Sequence, residues 1–172
     1  MKDLTQLAID YLMLEGACAA GVTTTETLAG GPPSTDLEYV LSGAKSAVSF
    51  AVPLDQVQIE RYLSKQDQAG HQEDNIHTNF FVTGLAVGLA TYLDQRGYPS
   101  YGVAANAVYR KDTPRGMIDF IPDLSHRYLA VRSGVGWFGL FGNVITRTQG
   151  TASVDAARGS RPYACTLEED RE

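Results

Sequence analysis

Apolar residues recur every three or four positions at the start of the chain, at Leu4, Leu7, Ala8, Tyr11, Leu12 and Leu14. That spacing is one face of a helix, predicted over residues 3–15 and ended by Gly16. A short strand is predicted over residues 17–24. Gly30-Gly31-Pro32-Pro33 then breaks regular structure, after which Thr35 or Asp36 can cap a short helix reaching Leu41. The clearest strand is Ala47-Val48-Ser49-Phe50-Ala51-Val52, bounded by Gly43 and Pro53. Residues 55–63 carry part of a helical face in Val57, Ile59, Tyr62 and Leu63, and the polar stretch 64–75 reads as a solvated loop.

The longest helical pattern spans residues 75–96, with Ile76, Phe80, Val82, Val87, Leu89 and Leu93 apolar and Gly84 and Gly88 four apart. Each glycine costs up to about 1 kcal/mol relative to alanine, so the pair implies close packing on a neighbouring element, the plainer cause, or on a ligand. Gly97 ends this helix. A strand is predicted within 98–108, a polar loop at 111–116 and a further strand at 117–121 stopped by Pro122. Asp123 or Ser125 is placed to cap a helix containing Leu129 and Val131, with Leu124 at its start, and Asn143-Val144-Ile145-Thr146 reads as a strand. Short strands alternating with helices predict an α+β fold in two or three layers, with strand order open.

At 172 residues one domain with a substantial core is expected, and 44% hydrophobic with 20% charged residues is a globular composition. No apolar run reaches the ~18 residues of a membrane span. Net charge is −6 and no basic block occurs, so nothing supports a nucleic-acid partner. Asp3 and Asp10 fall within the first helical pattern, unlike a signal peptide, and predict a cytoplasmic protein with no membrane partner. The two cysteines, Cys18 and Cys165, are expected as thiols. Cys18 sits among alanines like a small buried residue, and neither has a neighbour at metal-ligand spacing.

The only tryptophan lies in Gly134-Val135-Gly136-Trp137-Phe138-Gly139, which has G-x-G-x-x-G spacing. A dinucleotide loop of that spacing follows a strand and opens a helix, so that pyrophosphate meets the helix N-terminus. Here a helix precedes the glycines and a strand follows, which argues against that function.

The segment Arg132-Ser133-Gly134-Val135-Gly136-Trp137-Phe138-Gly139, preceded by His126-Arg127 and followed by Asn143, resembles the R-[AS]-G-[LV]-G-W-x-G segment of the epoxyqueuosine reductase family. These are corrinoid-dependent iron–sulfur reductases related to reductive dehalogenases. The resemblance runs upstream through residues 36–53 and covers roughly the first 150 residues. It implies a nitroreductase-like, corrinoid-binding-type domain, a mixed β-sheet flanked by helices. It also implies that Arg127, Arg132, Ser133, Gly134, Gly136, Trp137, Gly139 and Asn143 lie near cobalamin. Small residues would admit the macrocycle, while Trp137 and Phe138 offer rigid apolar surface. The same residues equally describe a tight helix-to-strand connection around a buried tryptophan.

In the family an aspartate of a V-D-T-G-P segment protonates the substrate. Ungapped alignment puts it at Phe120, beside Asp119. A one-residue shift along a strand reverses the side chain, so either a bulge restores Asp119 as the catalytic acid or the acid is lost. Asp123 is the second candidate, though a cap is its plainer role. His126 could stack on a ligand, but lone histidines, His71 and His77 included, are usually structural. No metal site is expected. Arg127 and Arg132 suit corrinoid amides or a phosphate, and Tyr101, Tyr109 and Tyr128 could line a pocket. Leu140-Phe141-Gly142 stands where the family has a lysine, which points to a divergent branch.

Family members continue into a ferredoxin-like module with cysteine runs for two [4Fe–4S] clusters, each usually needing four thiolates. Past Gly150 this chain offers Cys165 alone, so no cluster is expected on it. Residues 151–172 read as an irregular tail behind a domain of residues 1–150. The expectation is a truncated or stand-alone domain that binds cobalamin and takes electrons from a ferredoxin-like partner, or forms a homodimer. Alternatives are a small FMN-dependent nitroreductase-like oxidoreductase and a non-catalytic interaction domain.

Overall fold

A computed structural model describes residues 3–104, 109–112, 121–150 and, for its backbone only, 163–167. α1 (Leu4–Leu14) buries Ala8 and Leu12 and is followed by Gly16 at φ +105°, a left-handed turn that glycine makes without strain. The chain then enters β1 (Ala19–Thr24), the short α2 (Thr25–Leu28) and two 3₁₀ turns, Pro33–Thr35 and Leu37–Tyr39. Asp36 caps the second turn, its carboxylate accepting the Glu38 N–H at 3.1 Å. β2 (Ser46–Ala51) follows, buried at all six positions.

β1 and β2 pair antiparallel from Ala19 opposite Ala51 to Thr24 opposite Ser46. β3 (Ser100–Val103) is an edge strand, and between it and β2 lies β6 (Tyr163–Leu167), giving the order β1-β2-β6-β3. The α+β class therefore stands, with every described pairing antiparallel. The expected irregular tail behind residue 150 contains an interior strand. Its apolar pattern is only five residues long, too short for periodicity to separate it from a loop.

Alternation along β2 divides the core. Val48, Phe50 and Val52 pack with Ala8, Leu12, Val82, Leu89 and Leu93 on one face of the sheet, while Ala47 and Ala51 meet Leu129 and Ala130 of α5 (His126–Arg132) on the other. The result is three layers, with α1, α3 (Gln56–Leu63) and α4 (Gln68–Asp94) on one side and α5 on the other. Glycine sets both approaches. A Cβ on Gly102 would meet the Ala86–Val87 backbone at 2.9 Å, and one on Gly21 would run into the Ser133 carbonyl oxygen.

The polar stretch 64–75 is mostly helix rather than loop. Asp67 accepts the Gly70 N–H at 2.9 Å and starts α4 at Gln68, while His71 is buried with its ring 4.6 Å from that of Tyr62. The polar residues form the solvated side of a helical turn, which mimics a loop in one dimension. Gly88 is packed as expected, since a Cβ there would reach the Tyr11 hydroxyl at 2.9 Å, but Gly84 has no neighbour within 4 Å of that position.

Candidate functional site

The site residues singled out in the sequence gather on α5 and the hairpin behind it, formed by β4 (Trp137–Phe138) and β5 (Val144–Ile145) paired antiparallel. α5 enters after Ser125, whose N–H donates to the Ser34 carbonyl at 2.7 Å. The expected side-chain cap is absent: Ser125 makes no capping bond, and Asp123 has a buried Oδ1 with no partner among the described residues.

The helix ends in a Schellman motif. The Val135 N–H donates to the Ala130 carbonyl at 2.9 Å and the Gly134 N–H to that of Val131 at 3.2 Å, with Gly134 at φ +80° and Val135 buried beneath. Thus the first glycine of the G-x-G-x-x-G spacing is a helix C-terminal turn, and the order helix, glycines, strand holds as read. The second and third glycines serve the hairpin. A Cβ on Gly136 would strike the Ile145 carbonyl oxygen, and one on Gly139 would lie 2.8 Å from Ile145 Cδ1.

The hairpin closes through a three-residue loop. Gly142 donates to the Gly139 carbonyl at 3.0 Å, Gly139 donates to the Asn143 carbonyl at 2.8 Å, and Gly142 takes φ +75°, the arrangement of a turn followed by a left-handed glycine bulge. Leu140 and Phe141 are thereby pushed to the tip, where both are almost fully exposed. Trp137 is 47% exposed, not the buried tryptophan of the plainer reading. Because neighbours on a strand point to opposite faces, Trp137 and Phe138 do not share one surface. Phe138 turns toward Tyr128, ring centroids 6.2 Å apart, and Trp137 belongs to the other face.

The two arginines bind within this unit. Arg127 donates to the Gly142 carbonyl at 3.1 Å and fastens the hairpin to α5. Arg132 donates to the Tyr128 hydroxyl at 2.9 Å and lies 5.2 Å from that ring's centroid. The Ser133 hydroxyl donates to the Ala130 carbonyl at 3.1 Å. His126 is buried rather than presented to a ligand, His77 is exposed on α4, and the Cys18 thiol donates to the Ala51 carbonyl at 3.4 Å. Among the described residues no cluster of three or more His, Cys, Asp or Glu could hold a metal ion. Asp119 lies outside the described residues.

One group was not anticipated. Arg110 is buried, donates to both Asp112 oxygens at 2.9 and 2.6 Å and to the Pro33 carbonyl at 2.5 Å, and stacks 3.9 Å over the Tyr39 ring centroid. Its hydrogen bonds to Asp112 raise its pKa against the opposing effect of burial. Its N–H also donates to the Ile121 carbonyl at 2.9 Å, and Tyr109 bridges Pro122, so the arms on either side of residues 113–120 are fixed together. Nothing local in the sequence announces this: Pro33 and Tyr39 lie some seventy residues upstream.

Layers, strand order and the helix-to-hairpin unit define an α+β domain with helices on both sheet faces. No protein-family model and no curated protein matches the sequence. Solved structures do match the fold. An epoxyqueuosine reductase crystallised with an epoxyqueuosine-modified tRNA stem loop superposes at TM-score 0.55 and 13% identity, over 96% of this chain and 45% of that one. The Bacillus subtilis epoxyqueuosine reductase, with its catalytic loop swung out of the active site, gives 0.53 and 14% over 98% and 46%. A reductive dehalogenase whose structure suggests a mechanism for B12-dependent dehalogenation gives 0.56 and 15% over 98% and 20%. The fold resemblance expected from residues 132–139 is therefore found, and the chain spans less than half the length of these proteins.

Proposed function

We propose that this chain is a corrinoid-binding-type domain of the epoxyqueuosine-reductase kind, with α5 and the β4–β5 hairpin as its ligand-facing unit. The observation that carries the reading is the half-exposed Trp137, held on a hairpin pinned to α5 by Arg127, in a fold similar to that of a B12-dependent dehalogenase. The residues suit a broad flat ligand. Aromatic side chains are held rigidly and only partly covered, and Gly134 leaves open the space a Cβ would fill. Gly136 and Gly139 are filled by their own hairpin, so their part is to flatten it. Arg127 and Arg132 offer N–H groups to peripheral amides of such a ligand.

A bound corrinoid would supply low-potential electron transfer, for which the electrons come in this reading from a ferredoxin-like partner. Asp119 is the proton donor of the same reading. The chain's described residues bind and orient the ligand and shield one of its faces from water.

Titration with cob(II)alamin and, separately, with FMN tests this, because Trp137 is the only tryptophan and its fluorescence reports on the hairpin. Saturable quenching by the corrinoid alone is expected. Trp137→Ala, followed by the corrinoid's own visible absorption, should weaken corrinoid affinity about tenfold, the loss of roughly 1.4 kcal/mol of aromatic contact, with the far-ultraviolet dichroism unchanged. Binding of FMN in place of the corrinoid, or of neither, sinks the proposal.

A further inference from the structure

Past its polar first turns α4 is apolar on several sides, from Phe80 to Leu93, yet only 33% of its most apolar 18-residue window is buried. A helix of that composition is ordinarily enclosed on all sides. The sheet takes the side bearing Val82, Leu89 and Leu93. The opposite side carries Ile76, Phe80, Gly84 and Val87, one above another at helical spacing, with Phe80 75% exposed. Gly84 is the anomaly on this face. It costs helix stability, takes no left-handed φ and has no neighbour near the position of a Cβ, so nothing described within this chain accounts for it.

We infer that this outer face of α4 is the interface of a homodimer, in which two copies of the helix cross antiparallel about a two-fold axis near Val82. Such an axis places each residue opposite the one equally far on the other side of residue 82, so Phe80 of one copy stands over Gly84 of the other, and reciprocally. The bare glycine backbone is the hole that the aromatic ring fills, and it lets the axes approach toward the ~8 Å limit of helix packing. A parallel pair would set Phe80 against Phe80 and leave both glycines empty. Ile76, Phe80 and Val87 together expose roughly 350 Å² per copy, and His77 and Thr91, exposed on the same side, carry the patch toward the ~600 Å² that each partner buries at the lower end of stable interfaces. The face lies across the sheet from the α5 hairpin, so the dimer leaves the proposed ligand site open.

Sedimentation equilibrium of the full chain over a micromolar concentration series tests the inference. A reversible dimer is expected. Gly84→Leu puts a side chain into the hole, where its Cβ has no described neighbour within 4 Å, and improves helix propensity, so it should stay folded by circular dichroism while weakening the dimer at least tenfold. Phe80→Ser should do the same from the other side of the contact. A wild-type chain monomeric at every concentration overturns the proposal, as does a dimer indifferent to both substitutions. Association of a monomeric chain with phosphatidylcholine vesicles in flotation overturns it in favour of a lipid surface.

Discussion

Gly134 and Gly136 are two residues apart and do unrelated work. At Gly134 the backbone is left-handed and the space beyond is open, so alanine there costs the ~1–2 kcal/mol of a strained φ and no more. At Gly136 a methyl group would meet the Ile145 carbonyl oxygen and lie 2.7 Å from Val144 Cγ1, and the first of these is backbone that cannot rotate away. Gly136→Ala is expected to cost about 1–3 kcal/mol by overpacking and to part β4 from β5. Urea denaturation followed by Trp137 fluorescence separates the two. Gly134→Ala should keep the native emission maximum, whereas Gly136→Ala should shift it before global unfolding. Equal behaviour of the two variants would contradict the hairpin geometry. The sequence argued against these glycines cradling a dinucleotide, because element order is visible in one dimension. It did not show what each glycine faces, since Ile145 comes opposite Gly136 only after the hairpin has closed.

Elements whose signals are local were legible: α1 with its terminating glycine, β2 between Gly43 and Pro53, and the body of α4. The first turns of α4 were not, because their polar residues form an outward face and the buried His71 is recognisable only beside Tyr62. Arg110 is a stronger case of the same kind. It ties the Pro33–Thr35 turn to the arms that lead to and from residues 113–120, through a carboxylate that is itself half exposed. Arg110→Met leaves Asp112 free to rehydrate but strands the Pro33 carbonyl, so a loss of about 1–3 kcal/mol is expected. The pH dependence follows from the direction of the shift. Hydrogen bonding to Asp112 raises the guanidinium pKa above its ordinary, already strongly basic value, so its stabilisation is fully present below the unfolded-state pKa and is lost only as pH rises past the folded-state pKa. The stability difference between wild type and Arg110→Met should therefore be flat from neutral pH to about pH 10. Paired denaturation curves at several pH values check this, and a difference that shrinks within that range would mean another group carries it.

For the whole molecule the decisive strand is the one hardest to read. The layering, the α+β class and the fold resemblance all followed from the first 150 residues, which made a domain boundary there look natural. Yet β6, within residues 163–167, is an interior strand, with Ser46 to Phe50 paired along one side and Ser100 to Val103 along the other. Remove it and β3 has no strand to pair with among the described residues, while β2, buried at every position, loses one of its two partners. The nine register positions at stake would expose backbone groups whose hydrogen bonds are worth ~0.5–1.5 kcal/mol each, a sum comparable with the ~5–15 kcal/mol total stability of a domain. A chain ended at Gly150 is therefore expected to lose cooperative unfolding and bind hydrophobic dye, and a separate peptide of residues 151–172 should restore part of the native signal by re-entering between β2 and β3. If the shortened chain instead melts cooperatively at the wild-type temperature, β6 is an addition to a sheet already complete, and β2 and β3 must pair directly. The amide protection of Val48 and Val103 would show which, since they stand opposite Cys165 and Ala164 of β6.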